Sequence, residues 1–129
     1  MRQINPMLAL KKDVEKLGLM TDDLWVGQEK FDGERVIYQI TQDESILTGR
    51  RPGKNSGVLA VKTHHVPHLH MPSSLRELFN GTVLDGELIH PHYDIDIKVG
   101  FKKLSAVMRS LPERAIKLQE EDGDRKSVV

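Results

Sequence analysis

Several features that would place a chain in a special class of protein are missing from this sequence. Its 129 residues include no cysteine, which excludes disulfide bonds and thiolate metal sites. No apolar run approaches the roughly 20 residues that cross a bilayer, and the first residues lack the apolar core of a signal peptide. We therefore expect a cytoplasmic protein with no membrane partner.

An excess of charge of one sign is also missing. Lysine plus arginine and aspartate plus glutamate both total 19, so the formal net charge is zero. The whole surface therefore offers no general attraction to a polyanion, and any DNA contact must be local. The hydrophobic content of 38% is that of a folded protein. A chain of this length forms one compact core, so we expect one domain or part of one.

Helices are predicted where apolar residues recur at three- and four-residue spacings and a stop signal follows. The first helix ends before Gly18. The last begins at a capping box formed by Ser110 and Glu113, tolerates Pro112 in its first turn and ends before Gly123. The predicted helices cover residues 6–17, 73–79, 99–108 and 110–122.

Strands are predicted where β-branched and aromatic residues cluster. The first two form a hairpin around a tight turn at Asp32 and Gly33, and the third extends them into an antiparallel meander. Together the elements predict an α+β fold with a mixed, mainly antiparallel sheet and flanking helices. The predicted strands cover residues 24–26, 35–41, 45–48 and 82–89, and residues 127–129 begin a further one.

Residues 50–57 are predicted to form a basic loop, because two glycines, a proline and three cations argue against a regular element. Arg50, Arg51 and Lys54 either contact a nucleic-acid backbone, which requires only exposed cations on a flexible loop, or belong to an ordinary solvated loop. Both interpretations stay open.

Histidine is a common zinc ligand, and six histidines lie between residues 64 and 92. Pro67 interrupts the first four, and no cysteine or acidic residue completes a recognised ligand spacing. We therefore favour an interpretation without zinc. The histidines are His64, His65, His68, His70, His90 and His92.

The most informative segment is Lys30-Phe31-Asp32-Gly33-Glu34-Arg35, which has the pattern K-x-D-G-x-R. A tight turn at Asp32 and Gly33 would let Lys30 and Arg35 reach a common ligand from adjacent strands. Four fixed positions match somewhere in a chain of this length with a probability of roughly one in a thousand. Chance is therefore a poor explanation of the pattern.

The pattern resembles the signature of the lysine nucleotidyltransferases, which comprise DNA ligases, RNA ligases and mRNA capping enzymes. Thr48-Gly49-Arg50-Arg51 resembles the family's intervening arginine motif, and Asp85-Gly86-Glu87-Leu88 resembles its second acidic motif. Residues 66–69, 81–88 and 105–115 resemble bacterial and phage-like ATP-dependent DNA ligases more than capping enzymes. Residues 1–129 thus resemble the first part of a ligase adenylation domain.

The resemblance implies a role for each matching residue. Lys30 is the catalytic residue that becomes adenylated, and Gln28 lies where the family contacts adenine. Arg35 and Arg50 are candidates for contacts with the ribose and phosphates of ATP, because a guanidinium makes paired hydrogen bonds. Glu87 binds the ribose or Mg²⁺, for which a carboxylate is a suitable hard ligand.

Two aspartates are assigned supporting roles by the same resemblance, since Asp32 and Asp85 are expected to shape turns and orient Lys30. Arg51 is the alternative to Arg50.

The nucleophile must attack the α-phosphorus of ATP as a neutral amine, whereas a free lysine has a pKa of about 10.4. Bound Mg²⁺ and neighbouring cations favour the neutral amine and stabilise the leaving pyrophosphate.

The cofactors implied are ATP and Mg²⁺, and the partner is nicked double-stranded DNA in replication, repair or recombination. Later family motifs, namely an aromatic-Asp segment, a Glu-Gly pattern and a lysine pair, do not occur, and neither does the OB-fold domain. We therefore expect a partial adenylation domain in which complete ligation is doubtful. Two alternatives stay open: an RNA ligase or capping-type guanylyltransferase, and a non-catalytic remnant that binds nucleotide or DNA.

Overall fold

A computed structural model describes residues 2–8, 13 and 15–123 of the chain. Four strands and three α-helices follow one another in the order β1, β2, β3, α1, β4, α2, α3. The strands are β1 Glu34–Ile40, β2 Ser45–Pro52, β3 Leu59–Val61 and β4 Val83–Leu88. The α-helices are α1 Ser73–Leu78, α2 Ile97–Arg109 and α3 Pro112–Glu121. Short 3₁₀ helices lie at Leu19–Thr21, Thr63–His65, Pro67–Leu69 and Pro91–Asp94.

The strands form one antiparallel sheet in the order β3-β2-β1-β4. The predicted α+β class is therefore confirmed, and within the described part of the chain the sheet is antiparallel throughout rather than mixed. Strand β1 lies in the interior of the sheet, where Arg35 is paired with Glu87 of β4 and Val36 with Gly49 of β2. This register places the consecutive strands β1 and β2 beside β4, which comes much later in the sequence.

The two faces of β1 are covered differently, because alternate side chains of a strand point to opposite faces. Val36, Tyr38 and Ile40 belong to the hydrophobic core, to which α2 contributes Leu104, Val107 and Met108 and α3 contributes Ala115. The N-terminal segment contacts side chains on the other face of β1. There Arg35 donates a hydrogen bond to the Met7 carbonyl at 2.7 Å, and Gln39 donates one to the Arg2 carbonyl at 3.0 Å.

Three predicted helices are confirmed in α1, α2 and α3, and three predicted strands in β1, β2 and β4. The last helix differs at its start. The Ser110 hydroxyl donates to the Ala106 carbonyl of α2 at 2.6 Å, and Leu111, without a side-chain cap, precedes α3. The capping box was therefore wrong, although Gly123 ends the helix as predicted with a φ of 67°.

The predicted hairpin around Asp32 and Gly33 is wrong. Residues 24–33 contain no strand, and Leu24 and Val26 are 91% and 97% exposed. Both edges of β1 are taken, by β2 on one side and β4 on the other, so the preceding segment has no edge to pair with. Lys30 and Arg35 consequently do not face each other across a turn.

The basic loop begins later than predicted, because β2 continues to Pro52 and pairs there with Leu59 of β3, a strand that the sequence did not predict. Arg50 and Arg51 are therefore strand residues. The predicted helix at 6–17 includes residues 9–12 and 14, which lie outside the described residues, and its described residues are not helical. Residues 127–129 also lie outside them. None of the described helices has the length and hydrophobicity to cross a bilayer.

Candidate functional site

An open cleft of about 810 Å³ lies where the segment before β1 meets β2, β3, β4 and α2. Lys30, Arg35, Arg50 and Glu87 all line it, although they come from three separate sequence motifs. Six cationic side chains line the cleft against three carboxylates. The lining charged residues are Lys30, Arg35, Arg50, Arg51, Lys62 and Arg109, together with Asp32, Glu34 and Glu87.

Two hydrogen bonds anchor the backbone next to Lys30. The Asp32 N–H donates to the Tyr93 hydroxyl at 3.1 Å, and the Gly33 N–H donates to Oε1 of Glu87 at 3.1 Å. The Phe31 ring also contacts the Tyr93 ring, with centroids 5.8 Å apart. Residues 30–33, the lysine segment, are thus held from two directions.

Gly33 is required at this position by close approach rather than by a turn. A Cβ atom built on it would lie 2.1 Å from the Leu88 carbonyl oxygen and 2.9 Å from Cγ of Glu87. The absence of a side chain lets the segment press against β4. The Gly33 amide can therefore reach the Glu87 carboxylate.

The Lys30 side chain itself is 84% exposed and contacts the Asp32 carboxylate at 3.1 Å. Asp32 thus contacts the side chain that it was predicted to orient. Solvent screens such an exposed pair strongly, so it stabilises the fold little. It must open before the Lys30 Nζ atom can act as a nucleophile, because an attacking amine presents its lone pair to the reacting phosphorus.

Arg35 is largely committed to protein partners. Its Nε and Nη2 atoms donate to the two oxygens of Asp85 at 2.9 and 2.6 Å, and Nη1 donates to the Met7 carbonyl. The Arg35 hydrogen bonds lower the pKa of the Asp85 carboxyl, and the same pair raises the pKa of the guanidinium. Asp85 lies inside β4 opposite Ile37. The expectation that Asp85 shapes a turn was therefore wrong, because it positions Arg35.

The remaining predicted residues divide into two groups. Arg50 and Arg51 are exposed strand residues that line the cleft, next to buried Thr48 of the same strand. Gln28 is exposed in the irregular segment before β1 and does not line the cleft. The structure thus brings Lys30, Arg35, Arg50 and Glu87 together without Gln28.

Three lining or anchoring residues were missed by sequence reasoning. Lys62, whose ammonium group donates to the Met108 carbonyl at 2.5 Å, and Arg109 add positive charge, and Tyr93 anchors the lysine segment. Lys62 follows β3, Arg109 ends α2, and Tyr93 lies in the 3₁₀ helix Pro91–Asp94. No sequence signal marks Lys62 or Tyr93, and the resemblance of residues 105–115 gave Arg109 no role, because each reaches the cleft only through the tertiary packing of its own element.

A second cluster of polar side chains lies outside the cleft. His90, His92 and Asp122 each offer one ligand atom, and these atoms lie within 4.8 Å of one another. Asp122 supplies the acidic residue that the spacing of the histidines alone did not reveal. Lys103 contacts the same carboxylate and, by hydrogen bonding, lowers the pKa of Asp122.

Comparisons with protein-family models, with curated proteins and with solved structures each find no match to this chain.

Proposed function

We propose that this chain carries the nucleotide-binding and lysine-adenylating part of an ATP-dependent DNA ligase. The single observation that supports this best is the convergence of Lys30, Arg35, Arg50 and Glu87 on one cleft. These residues come from three motifs that match the family pattern in the sequence. A chance pattern in the sequence has no reason to converge in space.

The charge of the cleft supports an anionic nucleotide as its ligand. Six cations against three carboxylates attract a polyphosphate. Exposed Arg50 and Arg51 offer guanidinium groups that suit paired contacts to phosphate oxygens. Arg35, held by Asp85, keeps two of its five N–H donors for a ligand.

Glu87 fits the expected Mg²⁺ ligand. One of its oxygens accepts from the Gly33 N–H at 3.1 Å, which orients the carboxylate toward the lysine segment. A magnesium site in a nucleotide-binding protein needs one or two carboxylates and completes its shell with phosphates and water. When bound, the ion would neutralise charge on the pyrophosphate that leaves.

The proposed reaction is nucleophilic substitution at the α-phosphorus of ATP. Neutral Nζ of Lys30 attacks, a P–N bond forms, the bond between the α-phosphorus and the bridging oxygen breaks, and pyrophosphate leaves. The nitrogen, which becomes positively charged when the P–N bond forms, releases one proton to solvent, and the product is lysyl-AMP. The anchors on Asp32 and Gly33 hold the backbone beside the nucleophile, which lowers the entropic barrier to attack.

The test is formation of a covalent adenylate from labelled ATP and Mg²⁺. We expect Lys30→Ala and Lys30→Arg to abolish the label, because neither supplies a free amine, whereas Lys98→Ala at an exposed position of α2 keeps it. Labelled GTP in a parallel reaction distinguishes a guanylyltransferase. If the wild-type protein acquires no label but binds ATP as tightly as Lys30→Ala does, the result would contradict catalysis and favour the non-catalytic alternative.

The DNA partner rests on the sequence resemblance alone. Competition of nicked duplex DNA against RNA ends for the adenylated protein is the corresponding experiment. Transfer of AMP to an RNA 5′-phosphate but not to a DNA nick would favour the RNA-ligase alternative.

A further inference from the structure

The cluster formed by His90, His92 and Asp122 has the geometry of a metal site. Nε2 of His90 lies 3.2 Å and Nδ1 of His92 lies 3.7 Å from the same oxygen, Oδ2 of Asp122. Tetrahedral zinc bound at about 2.0–2.1 Å separates its ligand atoms by about 3.3 Å. The observed separations bracket that value.

These atoms do not satisfy one another by hydrogen bonding. Oδ2 of Asp122 and Nδ1 of His92 are buried and make no hydrogen bond within the described part of the chain. Oδ2 nevertheless lies 3.2 Å from a ring nitrogen. Two buried polar atoms without a hydrogen bond require a partner, and a shared ion would supply it.

We propose that His90, His92 and Asp122 bind a divalent transition-metal ion, with Zn²⁺ preferred and water as its fourth ligand. Two imidazole nitrogens and one carboxylate oxygen suit zinc, whereas Mg²⁺ and Ca²⁺ take oxygen ligands almost entirely. A cavity of about 260 Å³ lined by His90, Lys103 and Asp122 gives room for the water. None of the three ligands lines the cleft that contains Lys30, so this inference is independent of adenylation.

Two segments meet at the proposed site. His90 is 4% exposed and precedes the 3₁₀ helix that contains His92, while Asp122 directly follows α3. The ion would therefore tie α3 to the turn between β4 and α2. Such a connection between distant segments is what a structural zinc ion supplies.

Lys103 is the competitor of the ion. Its ammonium group contacts Oδ1 of Asp122, whereas the histidine nitrogens lie near Oδ2, and it lies 3.5 Å from Nε2 of His92. Coordination through Nδ1 places the His92 ring proton on Nε2, facing Lys103. The lysine side chain is 33% exposed and can withdraw into solvent.

His90 must also lose one contact. Its Nδ1 accepts a hydrogen bond from the His92 backbone N–H at 3.1 Å. Coordination through Nε2 moves the ring proton to Nδ1, which then faces the His92 N–H as a second donor, so this hydrogen bond breaks when the metal–ligand bonds form. Against this loss, the ion would give a partner to Oδ2 of Asp122 and Nδ1 of His92, the two buried atoms without a hydrogen bond.

The test is calorimetric titration of metal-free protein with ZnCl₂ in the presence of excess MgCl₂. We expect one Zn²⁺ per chain, and Asp122→Asn and His92→Ala to weaken binding at least about tenfold, the lower end of what even an outer-shell partner contributes. His64→Ala, which removes a histidine outside the cluster, is the matched control and should bind as wild type does. Co²⁺ should give the visible absorption of a tetrahedral site in wild type and in the control.

Lys103→Met provides a change of opposite sign. Removing the unit charge that contacts the Asp122 carboxylate should strengthen Zn²⁺ binding roughly tenfold, the Coulomb effect of a charge several ångströms from a dication in water. Circular dichroism confirms the fold of each variant. If His92→Ala unfolds, Zn²⁺ binding by Asp122→Asn, which keeps the shape of the side chain, tests the proposal instead. No binding by wild type, equal weakening in His64→Ala and Asp122→Asn, or weaker binding in Lys103→Met would overturn the proposal.

Discussion

Replacing Tyr93 with phenylalanine should loosen the lysine segment without disturbing the core. The substitution removes the hydroxyl that accepts the Asp32 N–H at 3.1 Å and keeps the ring that contacts Phe31. One neutral hydrogen bond contributes about 1 kcal/mol net, so local opening of the segment should become about fivefold more frequent. Only the residues that this bond holds should respond.

Tyr38→Phe is the matched control. Tyr38 is also a buried tyrosine, at 8% exposure against 7% for Tyr93, and its hydroxyl donates to the Leu69 carbonyl at 2.6 Å. Its loss should lower the free energy of unfolding by a similar amount, about 1 kcal/mol. Because Tyr38 does not contact the lysine segment, it should leave that segment unchanged.

Amide hydrogen exchange measured by NMR separates the two effects. We expect the Asp32 amide to exchange about fivefold faster in Tyr93→Phe and at the wild-type rate in Tyr38→Phe under conditions where local opening dominates. If lysyl-AMP forms, its rate should fall in Tyr93→Phe alone. An Asp32 exchange rate that is unchanged in Tyr93→Phe, or raised equally in both variants, would refute the anchoring role of the phenol.

Three further substitutions test packing and electrostatics. Gly100→Ala would place a Cβ atom 2.8 Å from the Tyr93 backbone nitrogen, so urea unfolding should show a free energy of unfolding lowered by about 1–3 kcal/mol. The control Gly27→Ala, at an exposed position with no atom within 4 Å of the new Cβ atom, should leave that free energy unchanged. Asp85→Asn should lower the free energy of unfolding by at most about 1 kcal/mol at neutral pH, because the carboxylate is half-exposed and solvent screens its ion pair with Arg35. Since the folded pKa of Asp85 is lowered, the stabilisation is present above the unfolded pKa of about 3.9 and lost as pH falls through the folded value, where variant and wild type should converge. Burial lowers the pKa of His65, so the unfolded chain binds a proton first and the free energy of unfolding should fall as pH drops below about 6.5; His65→Gln should lack that part of the pH dependence.

Local sequence patterns predicted the elements that local chemistry determines. The periodic apolar residues of α2 and the glycine after α3 carry their information within a few positions, and both helices were predicted within a few residues of their observed bounds. The same is true of β1, whose apolar residues are buried, and of β4, which contributes Leu88 to the core. Boundaries failed where tertiary contacts extend an element, as at Pro52, which continues β2 by pairing with β3.

Strand pairing was the part that local patterns did not determine. The apolar residues Leu24 and Val26 suggested a hairpin with β1, but β4 occupies that edge although it lies far away in sequence. Gly33 was interpreted as a turn residue for the same reason. Its actual role is close packing against Leu88, a contact visible only when β4 is in place.

The candidate sites show the same division between local and distant information. Lys30, Arg35, Arg50 and Glu87 were found because each belongs to a short motif, and the fold places them on one cleft. Tyr93 belongs to no motif, and neither does Asp122. Both act through contacts with residues far from them in the sequence, so spacing rules for ligands or catalytic groups do not detect them.

One short turn connects the two sites. The 3₁₀ helix Pro91–Asp94 carries His92 into the histidine cluster and Tyr93 toward the lysine segment. Consecutive side chains of a 3₁₀ helix are about 120° apart, so neighbours in sequence point in different directions. Gly100 permits α2 to pack directly on this turn, where a Cβ atom would meet the Tyr93 backbone. Whatever fixes His92 against Asp122 therefore also fixes the phenol that holds Asp32, because both side chains share one turn of backbone with little freedom to move separately.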